Sequence, residues 1–238
     1  MNDRHIVSSF DRDLDGVQID LVRMGGLVEE ALRNAARALA TGDTALAQTV
    51  RKGDHVIDAL ELKIKTDVAR VLALRAPTAG DLRLVLAVMD ISSHLERCGD
   101  YAKNIAKRTV ATADAPDLGD STNALRRMSD FVEGMVQDAL DAFIKRDVKR
   151  AKAVIDKDIE ADQIYTTLFR SLLTHMMEVP HHITTGMQLH FIAKNIERVG
   201  DHATAIAEQT IYLVTGTLPE DDRDKGDSTS LGLAETAS

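Results

Sequence analysis

The chain lacks most of what a catalytic, secreted or membrane-spanning protein displays. Its 238 residues hold one cysteine, so an internal disulfide framework is excluded and a reducing compartment is expected. Tryptophan is absent, aromatics amount to 3%, and four prolines are too few for a turn-rich fold. With abundant Ala, Leu, Val and Ile, that balance favours long helices over sheets. No apolar run approaches the roughly 20 residues needed to cross a bilayer, and the N-terminus shows no signal-peptide pattern. No Lys/Arg-rich run interrupts a formal net charge of −9, so the electrostatic footprint of a nucleic-acid binder is missing. Phosphate-binding loops, kinase signatures and nucleophile elbows are missing too. A soluble cytoplasmic protein is expected, whose association with membranes runs through a partner.

What the chain does have is an internal repeat. Glu96-Arg97-Cys98-Gly99-Asp100 returns 101 residues later as Glu197-Arg198-Val199-Gly200-Asp201. Breaks containing Gly, Pro or Asp fall at Thr41-Gly42-Asp43, Ala76-Pro77-Thr78, Ala115-Pro116-Asp117, Arg146-Asp147 and Val179-Pro180. They cut the chain into six helical segments of about 30 residues, each about 45 Å long. Leu84, Val88, Ile91, Leu95, Cys98, Ala102 and Ile105 form a 4-3 apolar series in the third segment. The 101-residue offset carries it onto Thr185, Leu189, Ile192, Ile196, Val199, Ala203 and Ile206. The expected fold is all-α, two tandem three-helix bundles, with residues 1–112 and 113–216 as the two repeats. Residues 217–238 read as a disordered acidic and polar tail.

The second and fifth segments carry acids as well: Asp54 and Asp58, and 104 residues on, Asp158 and Asp162. Asp58 lies 19 residues before Pro77 and Glu96 lies 19 after it; Asp54 and Asp100 lie 23 before and after. In an antiparallel helical hairpin these positions share a height about 28–35 Å from the turn. Around Pro180 the same holds, with Asp162 and Glu197 at 18 and 17 residues, Asp158 and Asp201 at 22 and 21. By helical angle, Glu96 and Asp100 project about 140° from the apolar centre of their helix, and Asp54 and Asp58 about 100°. An acidic groove on the outer flank of each repeat is therefore expected, rather than buried carboxylates.

Clustered carboxylates hold hard cations, and on facing helices they also hold dinuclear iron or manganese. An open site with room for more than one ion and for water is expected. Four carboxylates do not choose among Mg, Mn, Fe, Zn and Ca. The plain alternative is a solvated helix face whose acids pair with Arg97, Arg198 and Lys103. That suits a single Asp-x-x-x-Asp better than four pairs at matched heights. Asn104 continues the first acidic row, but its counterpart is Ala205. Cys98 sits in a core position matched by Val199 and is read as a small hydrophobe. His175, His181 and His182 are read as loop residues, since Pro180 interrupts Glu178-x-x-His181. His202 is at most an outer support to the acids.

Met24-Gly25 with Leu27-Val28-Glu29, Asp81-Leu82-Arg83, Leu95 to Ala106 and Ile196 to Thr204 together resemble the PhoU family, over roughly residues 8–216. The resemblance implies two three-helix bundles and a role in bacterial phosphate signalling. It implies contact with the ATPase subunit of the phosphate ABC transporter and with the sensor histidine kinase PhoR. The response to phosphate starvation would be held off while phosphate is plentiful. It also implies multinuclear metal clusters on paired acidic motifs, which by position are Asp54, Asp58, Glu96 and Asp100, and Asp158, Asp162, Glu197 and Asp201. A non-enzymatic regulatory adaptor, working as a homodimer, is the leading expectation. A carboxylate-bridged metalloenzyme and a metal-free structural helical dimer are the alternatives.

Overall fold

The computed structural model describes residues 3–113, 115 and 120–219. Pro116 and Asp117 of the expected central break, and the expected tail from Glu220 onward, lie outside the described residues. Among the described residues the fold comprises six long helices: α1 (Asp3–Thr41), α2 (Thr44–Arg75), α3 (Ala79–Ala111), α4 (Asp120–Lys145), α5 (Val148–Glu178) and α6 (Ile183–Thr215). A single 3₁₀ turn, Pro180–His182, joins α5 to α6. Among the described residues there is no strand.

The helix ends have local causes. Asp43 caps α2 by accepting from the Leu46 amide at 2.9 Å, and Asp147 caps α5 by accepting from the Arg150 amide at 3.0 Å. Each satisfies one of the donors a helix start leaves unpaired. Just before these caps the backbone turns left-handed, at Gly42 (φ 66°) in the first repeat and Arg146 (φ 55°) in the second. Arg146 holds that conformation while its guanidinium donates to Gln18 of α1 at 3.1 Å and lies 5.0 Å from the Phe143 ring.

α1–α3 and α4–α6 each form a three-helix bundle, and the two 4-3 series face inward. Leu84, Val88, Ile91, Leu95, Cys98, Ala102 and Ile105 are all buried, as are Leu189, Ile192, Ile196, Val199, Ala203 and Ile206. Each fully buried aliphatic side chain contributes about 1.5–3 kcal/mol. The bundles are not separate bodies: α3 packs along α6 and α1 along α4, so one core runs through both repeats. Small residues allow the approach. A Cβ on Gly25 of α1 would stand 2.7 Å from Leu140 Cδ1 of α4. Periodicity within each repeat could not show this seam, because it marks only which face is apolar.

Candidate metal centres

Each repeat brings its four predicted acids to the facing sides of its second and third helices. In the first, burial and then the Asp54 charge raise the Asp58 pKa, with Asp100 adding to it. Burial, then Asp100 and Glu61, raise that of Glu96. In the second, the Asp201 carboxyl is pushed up to about 7, by burial first and then by Glu197, Asp158 and Asp162. That happens although much of the Asp201 residue surface stays open. Carboxylates perturb one another in this way only when close together.

Burial differs from the expectation of an outer flank. Asp54 is 5% exposed and Glu197 8%, whereas Glu96, Asp100, Asp158 and Asp162 are half-buried and Asp58 is exposed. Helical angle fixes the direction of a side chain but not how near the neighbouring helix lies. Gly99, between Glu96 and Asp100, supplies the nearness: a Cβ there would lie 3.1 Å from Ile57 Cδ1 and 3.5 Å from Asp54 Oδ1. α3 thus settles onto α2 and closes over Asp54. Gly200 holds the matching place in α6, where a Cβ would lie 3.8 Å from the Ala161 Cβ.

A lysine enters each cluster. Lys103 Nζ donates to Asp54 Oδ2 at 2.5 Å and to Asp100 Oδ1 at 3.2 Å. The bond to Asp54 is the main cause of a raised Lys103 pKa. Lys194 Nζ donates to Glu197 Oε1 at 2.7 Å and lies 5.0 Å from the Tyr165 ring centre. Arg97 is more distant from its acids, 3.8 Å from Glu96 and 4.0 Å from Asp100. In both clusters one carboxylate oxygen is buried without a hydrogen-bond partner: Asp54 Oδ1 and Glu197 Oε2. Leaving such an atom bare costs about 1–3 kcal/mol or more for a charged group.

As the side chains stand, no three His, Cys, Asp or Glu among the described residues are arranged to hold a metal ion. The chemistry of the donors still fits a hard cation. All are carboxylate oxygens, a cation already sits in each cluster as an ammonium, and two buried oxygens await a partner.

Residues outside the predicted set also shape the sites. Glu61 stands seven positions after Asp54, on the same face of α2, accepts from Ser93 Oγ at 3.2 Å and adds to the charge felt by Glu96. The spacing i, i+4, i+7 through Asp54, Asp58 and Glu61 is the signal that would have found it. Lys194 is legible as an i, i+3 partner of Glu197. His202 contacts the first repeat. Its Nδ1 lies 2.9 Å from His94 Nδ1 on α3, and its ring stacks on Tyr101 at 5.7 Å. Burial, followed by His94, Arg97 and Arg198, pushes its pKa down to about 4. His175 and His182 contact each other at the second hairpin, Nε2 to Nδ1 at 2.8 Å. Cys98 is buried, and burial raises its thiol pKa, as suits a core residue. A cavity of about 440 Å³ lies at the other end of the α5–α6 hairpin, lined by Val148, Lys152, Ile155, Ile211 and Leu218 among others, and holds none of the clustered acids.

Comparison with known proteins gives a consistent result. The PhoU domain matches twice, over residues 21–109 and 125–210. A phosphate-specific transport system accessory protein PhoU homolog of Rhizobium meliloti is 40% identical over 230 residues, 97% of each chain. One from Zymomonas mobilis is 45% identical over 222 residues, 93% of each chain. The crystal structure of PhoU from Pseudomonas aeruginosa superposes with a TM-score of 0.85 at 39% identity, covering 87% of this chain and all of that one. The phosphate transport system regulatory protein PhoU from Streptococcus pneumoniae gives 0.82 at 31% identity, covering 89% and 99%.

Proposed function

The chain belongs to the PhoU family, and on that premise we propose that it is a regulatory adaptor of phosphate uptake. Near full-length similarity to accessory proteins of phosphate-specific transport systems carries the proposal. The adaptor works in the cytoplasm, without catalysis, on the ATPase subunit of the phosphate ABC transporter and on the sensor histidine kinase PhoR. It holds the phosphate-starvation response off while phosphate is plentiful. Among the described residues no helix is long and apolar enough to cross a membrane; the adaptor meets the transporter through partner surface. Residues 1–112 and 113–216 are its two working halves, and it acts as a homodimer.

Metal ions belong to the same proposal. Asp54, Asp58, Glu96 and Asp100 would hold one group of ions, and Asp158, Asp162, Glu197 and Asp201 the other, from among Fe, Mn, Mg and Zn. The all-oxygen donor sets and the two unpartnered buried oxygens support this. The ions would order the surface between the second and third helices, where a partner can meet it. Deleting the gene in its host tests the regulatory role, with alkaline phosphatase as reporter in phosphate-rich medium. The reporter should switch on, and restoring the protein should silence it. A reporter that stays off without the gene contradicts the adaptor role.

A further inference from the structure

The two lysines in the clusters are not related by the repeat. An offset of 101 carries Lys103 onto Thr204, and carries Lys194 back onto Ser93. Lys103 follows Asp100 by three residues, whereas Lys194 precedes Glu197 by three. Each repeat therefore places an ammonium among its acids from a different position. The acids themselves coincide under the repeat; their counter-charges do not.

The need for a counter-charge is physical. A carboxylate as buried as Asp54 or Glu197 is costly unless paired. An ammonium meets that need incompletely, because it is a single point charge with three donors on a flexible stem. Asp54 Oδ1 and Glu197 Oε2 remain buried and unpartnered beside it. A divalent ion gathers six or more oxygens around one centre and can take up what the ammonium leaves. An ion that draws Asp54 Oδ2, Asp100 Oδ1 or Glu197 Oε1 into its shell competes with the ammonium bonded there and is repelled by its charge.

We propose that Lys103 and Lys194 are tethered counter-cations that fill the acidic clusters in the metal-free protein and are displaced by a divalent ion. The inference rests on the metal sites proposed above. Competition with the tether sets metal affinity, so the protein responds at a higher ion concentration than the bare carboxylates would. Displacement also changes the surface. Each event adds a divalent ion to the groove and frees an ammonium at its rim, turning an acidic groove toward positive charge. A partner reading that groove would sense occupancy as a loss of local negative charge.

The test is Mn²⁺ binding to the full-length, chelator-stripped chain, followed by titration calorimetry. Lys103→Met keeps the apolar stem and removes the charge, and should tighten one class of site about tenfold. Lys103→Arg should bring no tightening, and Lys107→Met, an exposed position outside the cluster, should leave binding unchanged. Lys103→Met that binds no tighter than wild type, while Glu96→Ala/Asp100→Ala loses a site, overturns the tether and leaves the metal sites standing. Wild type and variants that all fail to bind Mn²⁺ overturn both. Amine labelling of the wild-type protein covers the case of a poorly folding variant. Mn²⁺ should raise the labelling of Lys103 and Lys194 relative to Lys107, and unchanged labelling in protein that binds Mn²⁺ contradicts displacement.

Discussion

Glycines do unlike work at neighbouring positions of the same groove. A Cβ on Gly99 meets Ile57 at 3.1 and 3.3 Å, whereas nothing lies within 4 Å of one on Gly53. Gly99→Leu should push α3 off α2 and cost about 2–3 kcal/mol in urea unfolding. Gly53→Ala should add about 0.5–1 kcal/mol, because an open helical glycine costs only conformational entropy. Equal effects at the two positions would mean that the close approach at Gly99 does not hold the groove together. Both residues were visible in the sequence, and neither role was, since periodicity carries no interhelical distance. The same gap explains why Asp54 and Glu197 were expected on the outside.

At Asp201 and His202, adjacent residues titrate with opposite consequences in the metal-free protein. The Asp201 pKa is raised, so its contribution is present below pH 4 and lost as pH rises through about 7. The His202 pKa is lowered, so its contribution is present above pH 6.5 and lost as pH falls toward about 4. Both groups are partly solvated, and screening reduces each effect to about 1–2 kcal/mol. Relative to wild type, Asp201→Asn should therefore gain stability as pH rises from 4 to 8. His202→Gln should gain it as pH falls from 7 to 4. Urea melts across that range in chelator check both, and parallel curves for all three proteins would count against the placement of these groups.

At the scale of the helix, most of the fold was legible. Gly42, Pro77, Asp147 and Pro180 mark breaks that fall where the helices end, because these residue types end or cap helices by their own geometry. Asp43 and Asp147 show the mechanism twice, each accepting from the amide three residues on. Replacing either with Ala should cost about 1 kcal/mol, and replacing both about twice that, since distant sites add. Thermal unfolding of the single and double variants measures it. A double variant no less stable than the singles would mean that the hairpin turns do not depend on these caps. The hairpins also made the acids legible, through matched distances on either side of Pro77 and Pro180. Glu61 stayed hidden because its repeat counterpart is Tyr165, so no doubling drew attention to it.

Across the whole molecule, the repeats share one core. Gly25 against Leu140, and His94 against His202, tie the first bundle to the second. Nothing in either repeat alone specifies these contacts; they come from apolar and aromatic surface that three helices cannot cover by themselves. The protein should accordingly unfold in a single calorimetric transition, with van't Hoff and calorimetric enthalpies in agreement. Two separable transitions would show that the bundles are independent.

The two carboxylate clusters on this shared scaffold are proposed to hold metal. The most direct measurement is metal content, after equilibration with Mn²⁺ or Fe²⁺, of wild type and of the double variants Glu96→Ala/Asp100→Ala and Glu197→Ala/Asp201→Ala. Each double variant should lose the ions of one cluster and keep its helical circular dichroism. Combining them should leave the protein without bound metal. Wild-type metal content retained in the combined variant, or no bound metal in the wild type, would contradict the assignment.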